Sequence, residues 1–301
     1  MPSSASTSRP AGTRPAASSS RACTRSDRHV IKLGGALAGD ITRACDDIRT
    51  LVSRGAEVVV VHGGGAAADQ VAEELGRPTR YLTARDGRRS RYTDAAALDA
   101  LLLGILGRVK PAVVRALVDR GVPAVGLSGL DGAMVTAARN RPARATVDGV
   151  DMIVRDDLSG RVSKVDTTLP HALLGAGFVP VVSPPALGPD GPLNVDADRF
   201  AAALAIALGA DWLVVLSNVP GLLRDVDDPT SVVPAVPVDD LDLTVAAGRM
   251  KVKLQAAADA RRAGVDNVVL SDGRVDSPVL AALGGAGTRF TAVGAHHVRA
   301  S

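Results

Sequence analysis

Two glycine-rich stretches close short apolar runs early in the sequence, Lys32-Leu33-Gly34-Gly35 and His62-Gly63-Gly64-Gly65. Glycine after a strand lets backbone N–H groups come close to an anion, often at a helix N-terminus. Lys32 lies among apolar residues, where an idle lysine is costly. Beside the glycines it reads as a fixed positive charge aimed into a site, with a snorkelling edge lysine as the plain alternative. Neither stretch carries the Lys-Ser/Thr that closes a Walker A loop, nor the spaced dinucleotide fingerprint. Asn194-Val195-Asp196-Ala197-Asp198 precedes a run of small apolar residues. Helix capping accounts for Asp196, which leaves Asp198 for a site role. Arg249-Met250-Lys251-Val252-Lys253 opens a further helical stretch with cations where the helix dipole favours acids, a local rule broken without local gain. Arg77, Arg80, Arg85, Arg88, Arg89 and Arg91 crowd one short segment whose nearby acid is Asp86. A solvated loop would explain them, but the Arg fork also suits carboxylates and an acidic partner. The chemistry common to these groups is the handling of anions.

The elements that must position them follow from periodicity. His29–Leu33 and Glu57–Val61 are short, continuous apolar runs, and similar runs recur at Pro123–Leu127, Phe178–Ser183, Trp212–Leu216 and Asn267–Leu270. Between them lie helical stretches at Ile41–Arg54, from the His62 glycines to Leu75, and at Pro170–Gly175, Phe200–Leu208 and Val252–Arg262. Continuous β-branched strands alternating with helices predict an α/β fold, a mainly parallel sheet with helices on both faces. Tyr81–Thr93 departs from this rhythm, and Asp86-Gly87 at its middle predicts a two-stranded flap. Arg139–Val165 reads as a second hairpin turning at Leu158-Ser159-Gly160, and the Pro/Gly-rich run Ser183–Leu193 as a crossing between two lobes.

The chain of 301 residues is 46% apolar, with 2% aromatic residues and a formal net charge of +3. These values exclude wholesale disorder and argue against a base-stacking single-strand binder. The first 28 residues hold five arginines against one acid, a net +4, which leaves −1 for the rest. The high pI therefore belongs to a Ser/Arg-rich segment, expected to be a disordered extension over 1–28, and gives no ground for nucleic-acid binding. Cys23 and Cys45 make no disulfide framework and point to a reducing, cytoplasmic compartment. The charge-free stretch Thr167–Pro189 is broken by prolines and reads as strand and loop rather than a membrane span, and no secretory signal pattern is expected at the N-terminus.

Taken in order, Ile31-Lys32-Leu33-Gly34-Gly35, Val61-His62-Gly63-Gly64-Gly65, Leu193–Asp198, Gly209-Ala210-Asp211, Leu216–Leu223 and Met250–Lys253 resemble the amino acid kinase superfamily, in its acetylglutamate kinase-like branch. Gly87–Asp94, with Ser90-Arg91-Tyr92-Thr93-Asp94, is similar to the signature of kinases that act on aminoadipate or glutamate linked through its amino group to a small acidic carrier protein. Asp196, where ordinary acetylglutamate kinases have Asn, points the same way. The resemblance implies a three-layer αβα sandwich of two lobes, with an acyl-acceptor lobe over 29–187 carrying the flap 80–93 and an ATP-binding lobe over 188–301. It implies that Lys32 and Lys253 neutralise a transferring phosphoryl group and that Asp198 orients both. Gly64, Gly65, Arg91 and Asn194 would hold the acceptor. Gly34, Gly35, Ser217, Asn218, Gly221 and Leu222 would line the nucleotide site, and Arg80, Arg85, Arg88 and Arg89 would dock the carrier. ATP and Mg²⁺ are the implied cofactors, with no metal ligand readable in the chain. Asn218 stands where the family motif has Asp, which removes one charge near the nucleotide. The first 28 residues lack the apolar helical period of arginine-inhibited hexameric relatives, so a homodimer is expected. Rival readings are an N-acetylglutamate kinase of arginine synthesis, a nucleotide monophosphate kinase of the same superfamily, and a non-catalytic carrier-binding or regulatory homologue.

Overall fold

The computed structural model describes residues 27–34, 41–85, 87, 89–243 and 248–292. Strand β1 (Arg28–Leu33) leads through α1 (Thr42–Ser53) to β2 (Glu57–His62) and α2 (Gly65–Glu74). The flap strands β3 (Tyr81–Ala84) and β4 (Arg89–Arg91) follow. A long helical rod then runs from α3 (Ala95–Leu102) through π-helical turns at Leu103–Val109 into α4 (Lys110–Val118). Next come β5 (Ala124–Ser128), β6 (Val135–Arg139), β7 (Ala143–Val147), β8 (Val150–Val154) and β9 (Gly160–Val165), then α5 (Thr168–Gly175) and β10 (Val179–Ser183). A short pair, β11 (Ala186–Gly188) and β12 (Gly191–Leu193), precedes α6 (Ala197–Leu208) and β13 (Trp212–Ser217). The chain ends with β14 (Ala235–Pro237), α7 (Gly248–Arg262), β15 (Asn267–Asp272), α8 (Pro278–Leu283) and β16 (Thr288–Thr291).

The main sheet has eight strands in the order β14-β16-β15-β13-β1-β2-β10-β5. Every neighbouring pair is parallel except β15 with β16. Side chains alternate between its faces. Val30, Val59, Val61, Val182 and Val215 pack with residues of α6 and α7. Ile31, Val58, Val60, Val181 and Val214 pack with residues of α1, α4 and α8 on the other face. The result is the expected three-layer αβα sandwich. Its strands carry β-branched residues throughout because both faces are covered.

The flap forms as expected, Tyr81 pairing with Arg91 and Thr83 with Arg89. It does not stand alone: β3 also pairs with β7, giving a second sheet β4-β3-β7-β8. The second hairpin turns at Asp148-Gly149, not at Leu158-Ser159-Gly160. Asp148 and Gly149 take φ of 51° and 80°, the positive angles of a tight hairpin turn. Ser159 instead bridges to Asn194, and a Cβ on Gly160 would meet Ala138 O at 2.7 Å, so that glycine serves close approach. The run Ser183–Leu193 is more than a crossing, since β11 and β12 pair antiparallel within it. The sequence pattern assigns no element to the rod at 95–118, where Gly104 and Gly107 lower helix propensity. Gly104 lets the rod lie against α2, since a Cβ there would come within 2.6 Å of Ala68 N.

Residues 1–26, the greater part of the expected extension, lie outside the described residues. Arg28 belongs to β1: its N–H donates to Asp211 and its guanidinium pairs with Glu57 at 2.6 Å. Cys45 is buried in α1, where burial pushes its thiol up to about 11. Among the described residues no helix is long and apolar enough to cross a membrane.

Candidate active site

The parallel strands β1, β2, β5, β10, β13 and β15 all end at one edge of the sheet. β1 is central, with β2 on one side and β13 on the other. Ligands of open α/β sheets bind where the strand order diverges in this way, outside the carboxyl ends. Lys32 is the last but one residue of β1, and alternation places it on the face of Val30, toward α6 and α7. Its side chain is only 4% exposed.

Asp196 caps α6, accepting from the N–H groups of Asp198 at 3.0 Å and Arg199 at 2.9 Å. The cap fixes Asp198 in the first turn of the helix, with its side chain 9% exposed. Its carboxylate holds two ammonium groups. Lys32 Nζ forms an ion pair with Oδ1 at 2.5 Å, and Lys253 Nζ, from α7, donates to Oδ2 at 2.7 Å. Burial alone would raise the Asp198 carboxyl, but the two lysines overrule it and hold it below the usual range. Burial and the neighbouring Lys32 lower the Lys253 amine, and Asp198 opposes them. Asp196 is shifted the other way, raised by burial and then by Asp198. The triad thus brings together three residues distant in sequence and sets two ammonium groups on one carboxylate at the sheet's edge.

The glycine loop after β2 abuts this triad, since a Cβ on Gly63 would lie 3.4 Å from Ala197 Cβ. Gly64 packs under the π-helical rod, where a Cβ would meet Ile105 Cγ1 at 2.8 Å. Arg91 turns inward from the flap. It reaches Asp69 at 2.5 Å, Thr79 Oγ1 at 3.0 Å and the Gly65 carbonyl at 3.2 Å. Asn194 donates to Thr93 Oγ1 at 3.0 Å and so ties the entry of α6 to the end of the flap. Arg249, in the first turn of α7, also reaches this loop: a Cβ on Gly65 would lie 3.6 Å from its Nη2. Asp69 and Thr79 carry no signal in the sequence pattern, whereas Thr93 belongs to the Ser90–Asp94 motif. Arg249 also carries one, standing four residues before Lys253 and therefore on the same face of α7.

The residues expected on the nucleotide side are spread more widely. Gly34 ends β1 tight against β13, where a Cβ would meet Leu216 O at 2.7 Å, and Gly35 lies outside the described residues. Ser217, buried at the end of β13, has its hydroxyl 3.5 Å from the Asn218 side chain. Gly221 and Leu222 turn inward: Leu222 N–H donates to Thr288 Oγ1 at 2.8 Å, and a Cβ on Gly221 would meet that oxygen at 2.6 Å. On the flap, Arg80 pairs with Asp148 at 2.7 Å and Arg89 lies over Tyr81 at 4.2 Å. Arg85 is exposed beside a cavity of about 300 Å³ that Arg144, Asp151 and Met152 also line. Arg88 lies outside the described residues.

A family model described as the amino acid kinase family matches residues 27–272, which takes in the whole triad. The chain belongs to the amino acid kinase family. Among curated relatives, this kinase is 42% identical over 262 residues to LysW-aminoadipate kinase of Deinococcus radiodurans, covering 86% of this chain and 90% of the relative. It is 40% identical over 264 residues to the LysW-aminoadipate kinase of Thermus thermophilus, covering 86% and 98%. It is also 42% identical over 246 residues to acetylglutamate kinase of Rubrobacter xylanophilus, covering 81% and 89%. Among solved structures it resembles N-acetylglutamate synthase of Neisseria gonorrhoeae in complex with coenzyme A and N-acetylglutamate. The TM-score is 0.71 at 26% identity, over 88% of this kinase and 59% of that chain. Carbamate kinase of Giardia lamblia bound to AMP-PNP shares the fold, with a TM-score of 0.61 at 17% identity over 89% and 99% of the two chains.

Proposed function

We propose that this kinase transfers the γ-phosphoryl group of ATP to the side-chain carboxylate of an acidic amino acid, giving an acyl phosphate. The acceptor is of the aminoadipate or glutamate type, joined through its amino group to a small acidic carrier protein. The observation that carries the reaction is the Lys32–Asp198–Lys253 triad at the carboxyl edge of the sheet. Attack of a carboxylate on a phosphate brings two anions together, so alignment and charge neutralisation are the main tasks. Lys32 and Lys253 meet the developing charge, and Asp198 holds both ammonium groups in place without cancelling them. The acceptor carboxylate is already ionised, so no protein nucleophile or general base is required. Arg91, anchored by Asp69, offers its fork to the acceptor beside Gly64 and Gly65.

Bound ATP supplies the phosphoryl group, and the two buried ammonium groups of Lys32 and Lys253 suit its phosphates. Among the described residues no group of three or more metal-ligating side chains lies together. Mg²⁺ enters this reading with the nucleotide, whose phosphates commonly supply most of its ligands. Ser90-Arg91-Tyr92-Thr93 and the names of two relatives support linkage to a carrier, and the exposed flap arginines give an acidic carrier a place to dock. A kinase acting on free N-acetylglutamate is the second reading, favoured by the 42% identity to an acetylglutamate kinase. Trapping the acyl phosphate with hydroxylamine separates them. Carrier-linked aminoadipate should give hydroxamate with a KM that rises with salt, because exposed charges are screened. Preferential turnover of free N-acetylglutamate would replace the first reading by the second. No ATP-dependent hydroxamate from either acceptor would overturn both.

A further inference from the structure

Arg249 is a charged residue near the triad that the reaction as described leaves unused. It is exposed, in the first turn of α7, where a cation gains nothing from the helix dipole. Its guanidinium comes to the same point as that of Arg91. A Cβ on Gly65 would lie 3.5 Å from Arg91 Nη2 and 3.6 Å from Arg249 Nη2. The two forks therefore converge on a position that only glycine leaves open. Arg91 has its charge matched by Asp69 at 2.5 Å, whereas Arg249 makes no ion pair among the described residues. Two cations brought to one point, only one of them matched, make a seat for an added anion.

The spacing along α7 says which anion. Arg249 and Lys253 are four residues apart, so their side chains project from one face about 6 Å apart along the axis. Lys253 marks the phosphoryl-transfer point. An anion seated at Arg249 therefore belongs to the same acceptor as the reacting carboxylate but is separated from it by a short aliphatic chain. Resting on the proposed reaction, we infer that Arg249 determines specificity. With Arg91 it seats the second, unreacting carboxylate of a dicarboxylic acceptor, and so selects N-linked α-amino dicarboxylic acids over their monoacid analogues. A cation that merely covers the glycine loop would not distinguish the two.

The test uses the full chain, saturating ATP and hydroxylamine trapping, with two probes. One is aminoadipate joined through its amino group to the carrier protein, with both aminoadipate carboxylates free. The other is the same compound with the aminoadipate α-carboxylate converted to a carboxamide. In the native enzyme the carboxamide should lower kcat/KM by about 30-fold or more, the scale for losing a charge-assisted fork contact. Arg249→Gln should raise KM for the diacid about 10-fold with kcat within about threefold, and should shrink the carboxamide penalty at least about fivefold. Arg249→Lys should restore the charge without the fork and fall between the two. An unchanged carboxamide penalty in Arg249→Gln, or a fall in kcat without a rise in KM, overturns the inference and leaves the proposed reaction standing. Absence of ATP-dependent hydroxamate from both carrier-linked aminoadipate and N-acetylglutamate with the native enzyme overturns the reaction, and the inference with it.

Discussion

Asp198→Asn is the sharpest perturbation of the triad, because it removes one charge and almost no volume. The carboxylate contacts Lys32 at 2.5 Å and Lys253 at 2.7 Å through different oxygens, with side-chain exposures of 4% and 15% for the lysines. Without it, two ammonium groups roughly 5 Å apart repel by about 3 kcal/mol at an effective dielectric of about 20. If that energy displaces the lysines from their working positions, kcat falls by about 10²-fold, since each 1.36 kcal/mol is about tenfold. The pH profile separates this loss from simple damage. In the native enzyme burial and Lys32 lower the Lys253 amine while Asp198 opposes them. In Asp198→Asn the lowering effects act unopposed, so Lys253 loses its proton at lower pH and the alkaline limb of kcat moves toward neutrality.

Stability gives a second readout. Leaving buried charges unpaired costs about 3–5 kcal/mol, so Tm should fall by about 10 °C. The Asp198 carboxyl is held below its usual value in the fold. It therefore contributes stability above the unfolded value near pH 4, and that contribution is lost as pH falls through the folded value. The Tm gap between native enzyme and variant should narrow correspondingly in acid. Hydroxamate kinetics from pH 6 to 9 and thermal melts down to pH 3 test these points. A kcat within threefold of native with an unmoved alkaline limb would refute the reasoning, and a lowered Tm alone would make Asp198 a purely structural anchor.

Lys32→Ala and Lys253→Ala should each lower kcat by at least about 10²-fold, the scale for one preorganised donor, and near-normal turnover in both would remove their assigned roles. Burial pushes the Lys110 amine down to about 8. Between about pH 8 and 10.5 the unfolded chain then binds more protons than the fold, and this residue's contribution to stability rises with pH. Lys110→Met should therefore show a Tm difference from the native enzyme that is most favourable to the variant at pH 7 and shrinks toward pH 10; a difference independent of pH counts against a buried charged amine. Gly104→Ala would place a Cβ 2.6 Å from Ala68 N, so it should cost about 1–3 kcal/mol by overpacking and raise KM for the acceptor through the neighbouring glycine loop. Unchanged Tm and KM would show that the rod can retreat freely.

The triad was legible because each member broke a local rule that strand or helix periodicity could expose. A lysine inside a β-branched run has to face one helical layer or the other, and a second acid beyond the Asp196 cap has no capping work left to do. Cations at the start of α7 oppose its dipole. What stayed hidden depends on tertiary approach. Gly160 looks like a turn residue until Ala138 is seen 2.7 Å from its Cβ position, and the true turn at Asp148-Gly149 needs only two positive φ angles. The helical rod escaped notice because Gly104 and Gly107 weaken its propensity, although Gly104 is there to let α2 come close.

The charge pattern explains why a nearly neutral body can bind anions strongly. Lys32 and Lys253 share the single carboxylate of Asp198, and Arg91 and Arg249 meet beside the single carboxylate of Asp69. In each cluster one carboxylate contacts and fixes the cations, with the Asp196 carboxyl also close to the two lysines, and one turn of α7 separates the clusters. The contacting acids fix the cations where an approaching anion needs them. Some charge elsewhere is spent in surface pairs such as Arg120–Asp46 and Arg108–Glu74. Net charge therefore says little about what this kinase binds. The placement of Arg249 and Lys253 on one face of α7 selects for an acceptor with an anion at each end.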